Sequence, residues 1–91
     1  KNDRSPAIGY HLVKLLEETG EQAIRTAGSH GAADVISWSC LGVRFHQVKR
    51  GYLSPSDIEC ALESLQLMGR PSGTRGELWQ WDGKRWTHWE A

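Results

Sequence analysis

Apolar positions recur along this chain with two different periods. Ile8, Leu12, Leu15 and Leu16, with Val13 beside them, repeat at helical spacing. Ser5-Pro6 ahead of them reads as an N-cap followed by a first-turn proline, and Gly20 as a left-handed stop. A second helical stripe runs through Ile58, Ala61, Leu62, Leu65 and Met68. It follows Ser54-Pro55-Ser56-Asp57, a capping-box pattern with Asp in place of the commoner Glu, and Gly69 closes it. Between the two helices the period drops to two. Gln22 to Thr26 reads as a weak strand, then Ala27-Gly28-Ser29-His30-Gly31 as a flexible turn. Ala33 to Trp38 and Val43 to Lys49 read as the arms of a hairpin.

If Ser39-Cys40-Leu41-Gly42 is the connecting turn, Trp38 faces Val43 and Asp34 faces Gln47. Lys49 then shares the face of Gln47. The last segment, Glu77 to Trp81 and Lys84 to Trp89, flanks Asp82-Gly83, a two-residue hairpin signal. That turn puts Trp79 opposite Trp86. Four of the five Trp fall in this segment. They read as an aromatic cluster supplying core to a short chain, or as a stacking platform or dimer contact. The expected order is helix, three strands, helix, two strands: an α/β (α+β) chain with a mixed sheet.

Ninety-one residues suit one domain, 1–91. A chain this short gains core by dimerising. Eleven basic and eleven acidic residues cancel. Residues 1–52 hold seven Lys or Arg against five acids, and 53–91 hold four against six. The asymmetry permits a basic face without requiring a nucleic-acid partner. No stretch reads as a membrane span or a secretory signal, which fits a cytoplasmic protein. Cys40 and Cys60 lack CxxC spacing and are expected to be buried or half-buried free thiols.

Asp34, Gln47 and Lys49 carry the chemistry. One carboxylate, one amide oxygen and one amine on one face of two apolar strands suit a hard cation beside a phosphate. The bland alternative is a surface ion pair between Asp34 and Lys49, worth at most ~1 kcal/mol. His30, between glycines, suits a phosphate or solvent contact, or a metal ligand or general acid.

Arg25-Thr26-Ala27-Gly28-Ser29-His30-Gly31, then Asp34-Val35-Ile36, then Gln47-Val48-Lys49, resembles the archaeal-type Holliday junction resolvases of the PD-(D/E)XK nuclease superfamily. The helix through Leu12 to Glu17, with Gly20, is also similar to that family. The likeness covers residues 9 to 50; the later elements match in order and length. It implies a restriction-endonuclease-like core, a mixed central sheet of about five strands flanked by two helices. It further implies that Asp34, Gln47 and the Val48 carbonyl hold Mg²⁺, for which Mn²⁺ can substitute. Lys49 would stabilise charge at the phosphate, with Ser29 near the scissile group. Arg25, Gly28, Ser29, His30, Lys14 and Arg50 would contact DNA.

The implied activity is a metal-dependent endonuclease that resolves four-way junctions, a homodimer acting on branched DNA in a bacterial, archaeal or phage-infected cell. Two alternatives share the fold: a virus-type replication-repair nuclease acting on flapped or branched DNA, and a catalytically weakened DNA-structure-binding protein. The chain departs from the family twice. Gln47 stands where the second acid is expected. Gly9 stands where the first helix carries a glutamate; His11 is the nearest polar residue but on another helix face, so the acid is absent or lies elsewhere in a shifted helix, with Glu17 and Glu18 as its candidates.

Overall fold

The computed structural model describes residues 5–26 and 33–91, with side chains from Ile8 onward. The turn at 27–31, with Gly28, Ser29 and His30, lies outside the described residues.

Helix α1 (Ser5–Glu18) buries Ile8, Leu12 and Leu16, spaced four apart on one stripe. It starts at Ser5 itself, one residue earlier than an N-cap at Ser5 implies. Gly20, with φ +95, ends it. Gly20 N–H donates to the Glu17 carbonyl and Glu21 N–H to the Leu16 carbonyl, both at 3.1 Å, the paired bonds of a Schellman stop. Strands β1 (Gln22–Arg25), β2 (Val35–Ser39) and β3 (Gly42–Arg50) follow as an antiparallel meander. Trp38 pairs with Val43, as the turn count requires.

Helix α2 (Pro55–Leu67) begins with the capping box that the sequence announces. The Ser54 hydroxyl accepts from Asp57 N–H, and Asp57 Oδ2 accepts from Ser54 N–H. It carries the chain across to β4 (Arg75–Trp81), which pairs parallel to β3; β5 (Trp86–Glu90) closes the sheet antiparallel. The strand order is β1-β2-β3-β4-β5.

Alternation along the strands sorts side chains to two layers. Val35, Val48 and Trp79 pack with Ile8, Leu12 and Leu16 under α1. Leu78 packs with Ala61 and Leu65 under α2. The tryptophans belong to these cores: Trp79 is buried, Trp81 and Trp86 pack against the α1 layer, and Trp89 against the α2 layer.

The last hairpin corrects one expectation. Trp79 pairs with His88, and Trp81 with Trp86. A two-residue Asp-Gly turn of the tight type needs positive φ at both residues. Among the described residues only glycines have positive φ; Gly83 does, and Asp82 does not. Instead Asp82 Oδ1 accepts from Lys84 N–H at 2.8 Å and Arg85 N–H at 2.9 Å, which closes a four-residue loop. The register slips by two, so faces are kept, and Trp79 still meets Trp86 with ring centroids 5.8 Å apart. A second correction concerns the thiols. Cys40 and Cys60 are free as expected, but both are exposed. Cys40 sits in the β2–β3 turn, and Cys60 lies on α2 away from its buried stripe.

One polar group lies deep in the α1 layer. Glu77 on β4 is 2% exposed, and His46 and Ser37 are fully buried beside it. Glu77 Oε1 accepts from Trp79 Nε1 at 2.8 Å and from Arg44 at 3.1 Å, and lies 3.3 Å from His46 Nδ1. Ser37 Oγ and His46 Nε2 are 2.8 Å apart, and Arg44 also pairs with Glu21. Burial alone would raise the Glu77 pKa. The hydrogen bonds from His46 and Trp79 and the charge of Arg44 outweigh it and hold the carboxyl at about 2, below the ordinary 4.5. A depressed carboxyl stabilises the fold above its unfolded pKa and loses that contribution as protons bind. Stability should therefore fall as the pH drops from about 4.5 towards 2. Glu77→Gln should flatten that part of the profile and cost roughly 3 kcal/mol at neutral pH, because Arg44 loses a buried partner. Urea unfolding at a series of pH values checks both.

Candidate active site

Asp34 precedes β2, and its backbone extends the meander by one residue. Its N–H donates to the His46 carbonyl at 2.7 Å, and its carbonyl accepts from Thr26 N–H at 2.9 Å. Thr26 Oγ1 donates to the buried Ala33 carbonyl at 2.7 Å, which fixes the approach to this residue. Val35 pairs with His46, so the same count sets Asp34 across from Gln47. The carboxylate reaches β3 as well: Oδ2 accepts from Val48 N–H at 2.9 Å. Main chain and side chain together hold Asp34 in one orientation.

Burial raises the Asp34 pKa above 3.8; the Val48 hydrogen bond and the charges of Lys49 and Arg25 offset only part of the rise. Gln47 contributes a second oxygen. Its Oε1 is buried and, among the described residues, has no hydrogen-bond partner. An unmet buried acceptor costs about 1–3 kcal/mol and calls for a ligand.

Asp34, Gln47, Val48, Lys49, Arg25 and Arg50 all line one open cavity of about 330 Å³, together with Ile8, Gly9 and Thr26. The cavity wall thus carries three cationic side chains and one carboxylate, which suits an anion. Lys14 is exposed on α1 and does not line it. Glu17 and Glu18 are exposed at the far end of α1 and do not line it either, so neither replaces an acid at Gly9. Among the described residues no three His, Cys, Asp or Glu side chains gather. A cation here would depend on Asp34, the Gln47 amide oxygen and main-chain carbonyls, all hard oxygen donors.

Gly9 lines the cavity, at the position where the resemblance implies a first-helix acid. Sequence reasoning missed Thr26 as a cavity residue. It also missed the alignment of Ser37, His46 and Glu77, which has the order of a nucleophilic triad. Ser37 and His46 have no exposed surface and Glu77 has 2%, so no substrate reaches Ser37. Glu77 is already shared among Trp79, Arg44 and His46. The cluster ties β2, β3 and β4 together in the α1 layer. Period-two alternation does put these polar residues among apolar ones, and that was the available signal.

No family model matches the sequence, and no curated protein does. A solved structure does: Hjc of Archaeoglobus fulgidus, a Holliday junction resolvase from an archaeal hyperthermophile. The match has a TM-score of 0.71 at 21% identity and covers 94% of this chain and 76% of that one. The chain therefore has the restriction-endonuclease-like α+β fold of an archaeal Holliday junction resolvase.

Proposed function

We propose that this chain is a metal-dependent endonuclease that acts on branched DNA, with the four-way junction as its substrate. The observation that carries it is the meeting of Asp34, Lys49 and the Gln47 oxygen, unpartnered among the described residues, in one cavity of a resolvase-like fold. Asp34, the Gln47 Oε1 and the Val48 carbonyl would hold Mg²⁺ or Mn²⁺. Such an ion polarises a phosphoryl oxygen and lowers the pKa of a bound water. Lys49 adds positive charge where the phosphate becomes more negative. Arg25 and Arg50 on the same wall bind the flanking phosphate oxygens and fix the strand. Asp34 acts in its ionised form, and its burial sharpens every charge interaction around it.

Two opposed strands of a junction need two cavities, which a C2 dimer supplies. The tryptophans of the last hairpin spend much of their surface on the two cores, Trp79 buried and Trp81, Trp86 and Trp89 partly so. The α2 side of β1 and β2 offers a better surface for this contact. Ile24 pairs with Ile36, and Trp38 follows on the same face. Ile24 is 51% and Trp38 38% exposed, because α2 packs on β4 and β3 instead. A second copy of the chain covers that face in the proposed dimer. Among the described residues no helix is long and apolar enough to cross a membrane.

A second reading has its own support. The neutral Gln47 and the glycine at position 9 favour a catalytically weakened protein that binds branched DNA without cutting it. Incubation with labelled four-way junction, flap and linear duplex, with and without Mn²⁺, separates the readings. Junction cleavage supports the resolvase, flap cleavage the replication-repair nuclease, and metal-independent binding alone the binder.

Asp34→Asn should lower cleavage by at least about 100-fold while leaving junction affinity nearly unchanged. The same change should raise Tm in metal-free buffer. The folded-state pKa of Asp34 lies above its unfolded value of 3.8, so above that pH the charged carboxylate costs stability, and asparagine removes the cost. Gln47→Glu should cut the Mg²⁺ concentration needed for half-maximal cleavage, by adding charge to the site. Sedimentation at low-micromolar concentration should give a dimer, and Trp38→Lys a monomer.

A further inference from the structure

Arg25 closes β1 but leans on α1. Its stem crosses the helix at Gly9, where a Cβ would come within 2.8 Å of Arg25 Cδ and 3.0 Å of Cγ. Its guanidinium lies over the next residue, with Cζ 4.5 Å from the centre of the Tyr10 ring. That distance is well inside cation–π range. Tyr10 is 57% exposed, so the ring stands out from the helix with little else to support. The Nε of Arg25 is buried and, among the described residues, has no acceptor.

These facts fit together in one way. A guanidinium is a rigid plane with fixed donors. Tyr10 covers one side of that plane, and the missing side chain at Gly9 lets the stem lie flat. The rotamer freedom of a long side chain has been removed. Yet among the described residues the donor held in this way has no acceptor. A buried, preorganised N–H of this kind, on the wall of a cavity that also holds Lys49 and Arg50, is set for an incoming anion.

The geometry points to Tyr10 and Gly9 as positioning residues: together they hold Arg25 so that its Nε–H meets a phosphate oxygen at the cavity. This rests on the DNA-cleaving reading for the source of the phosphate, a DNA backbone rather than free phosphate. It explains the glycine at position 9 in physical terms. A side chain there, acidic or not, would displace the stem of Arg25.

The test is a double-mutant cycle on the full chain with a four-way junction. Tyr10→Leu should weaken binding about 3–5-fold, on the scale of a cation–π contact. It should leave Tm unchanged, because the ring is largely exposed, and Tyr10→Phe, which keeps a ring, should restore affinity. In an Arg25→Ala background Tyr10→Leu should have no further effect. A parallel arm follows the Arg25 Nε–H resonance during titration with inorganic phosphate, in wild type and in Tyr10→Leu. A saturable shift confined to wild type supports the subsite even if the protein cuts no DNA. Loss of junction affinity through Arg25 without a phosphate shift also supports it, with the DNA backbone as the sole source. Equal effects of Tyr10→Leu with and without Arg25, or no rescue by Phe, overturn the proposal when the phosphate shift is also absent. So does Tyr10→Leu behaving as wild type in both arms.

Discussion

The cavity depends on one constraint, the register between β2 and β3 at Asp34. Two bonds set it, Asp34 N–H to the His46 carbonyl and Val48 N–H to Asp34 Oδ2, and Thr26 N–H to the Asp34 carbonyl ties the same residue to the end of β1. Side chains on a strand alternate, so a slip of one residue would turn Gln47 and Lys49 to the face of His46 and take their polar groups away from Asp34. Asp34 is thus both a member of the site and the pin that assembles it. Its raised pKa is the physical sign of that double use, since burial costs more than the hydrogen bond and nearby cations return.

In the α1 layer the register is reinforced by the buried cluster, on the face of β3 opposite Gln47 and Lys49. His46 touches Ser37 on β2 and Glu77 on β4, while Arg44 ties Glu77 to Glu21 at the start of β1. Residues from β3 and β4 meet at this one carboxylate, and Ser37 on β2 joins through His46. The parallel pairing of β3 with β4 has no hairpin to fix its register, so polar contacts under the sheet take that role. Chemistry and structure use alternate residues of one strand: Gln47 and Lys49 line the cavity, and His46 between Phe45 and Gln47 joins the buried cluster.

How much of this was legible in the sequence follows from the range of each interaction. The β2–β3 hairpin is local, and its turn gave the Trp38–Val43 pairing and hence the convergence of Asp34 with Gln47. The capping box of α2 is four residues long and could be read directly. The last hairpin misled because Asp-Gly satisfies two turn types, and the choice fell to the Asp82 side chain, which caps Lys84 and Arg85. Arg44 and Glu77 are 33 residues apart, and no periodicity links them. The Arg25 stem over Gly9 is likewise a tertiary contact, so Gly9 read only as a missing acid. Helix order and strand count were enough for the fold class because two capped helices leave few ways to arrange five strands.

The most direct measurement is a Mn²⁺ titration followed residue by residue in amide spectra of the metal-free protein. Paramagnetic broadening should appear first at Asp34, Gln47, Val48 and Lys49, and should vanish in Asp34→Asn. Broadening that spares these four residues, or that persists unchanged in Asp34→Asn, would contradict the assignment of the cavity as the metal-dependent site.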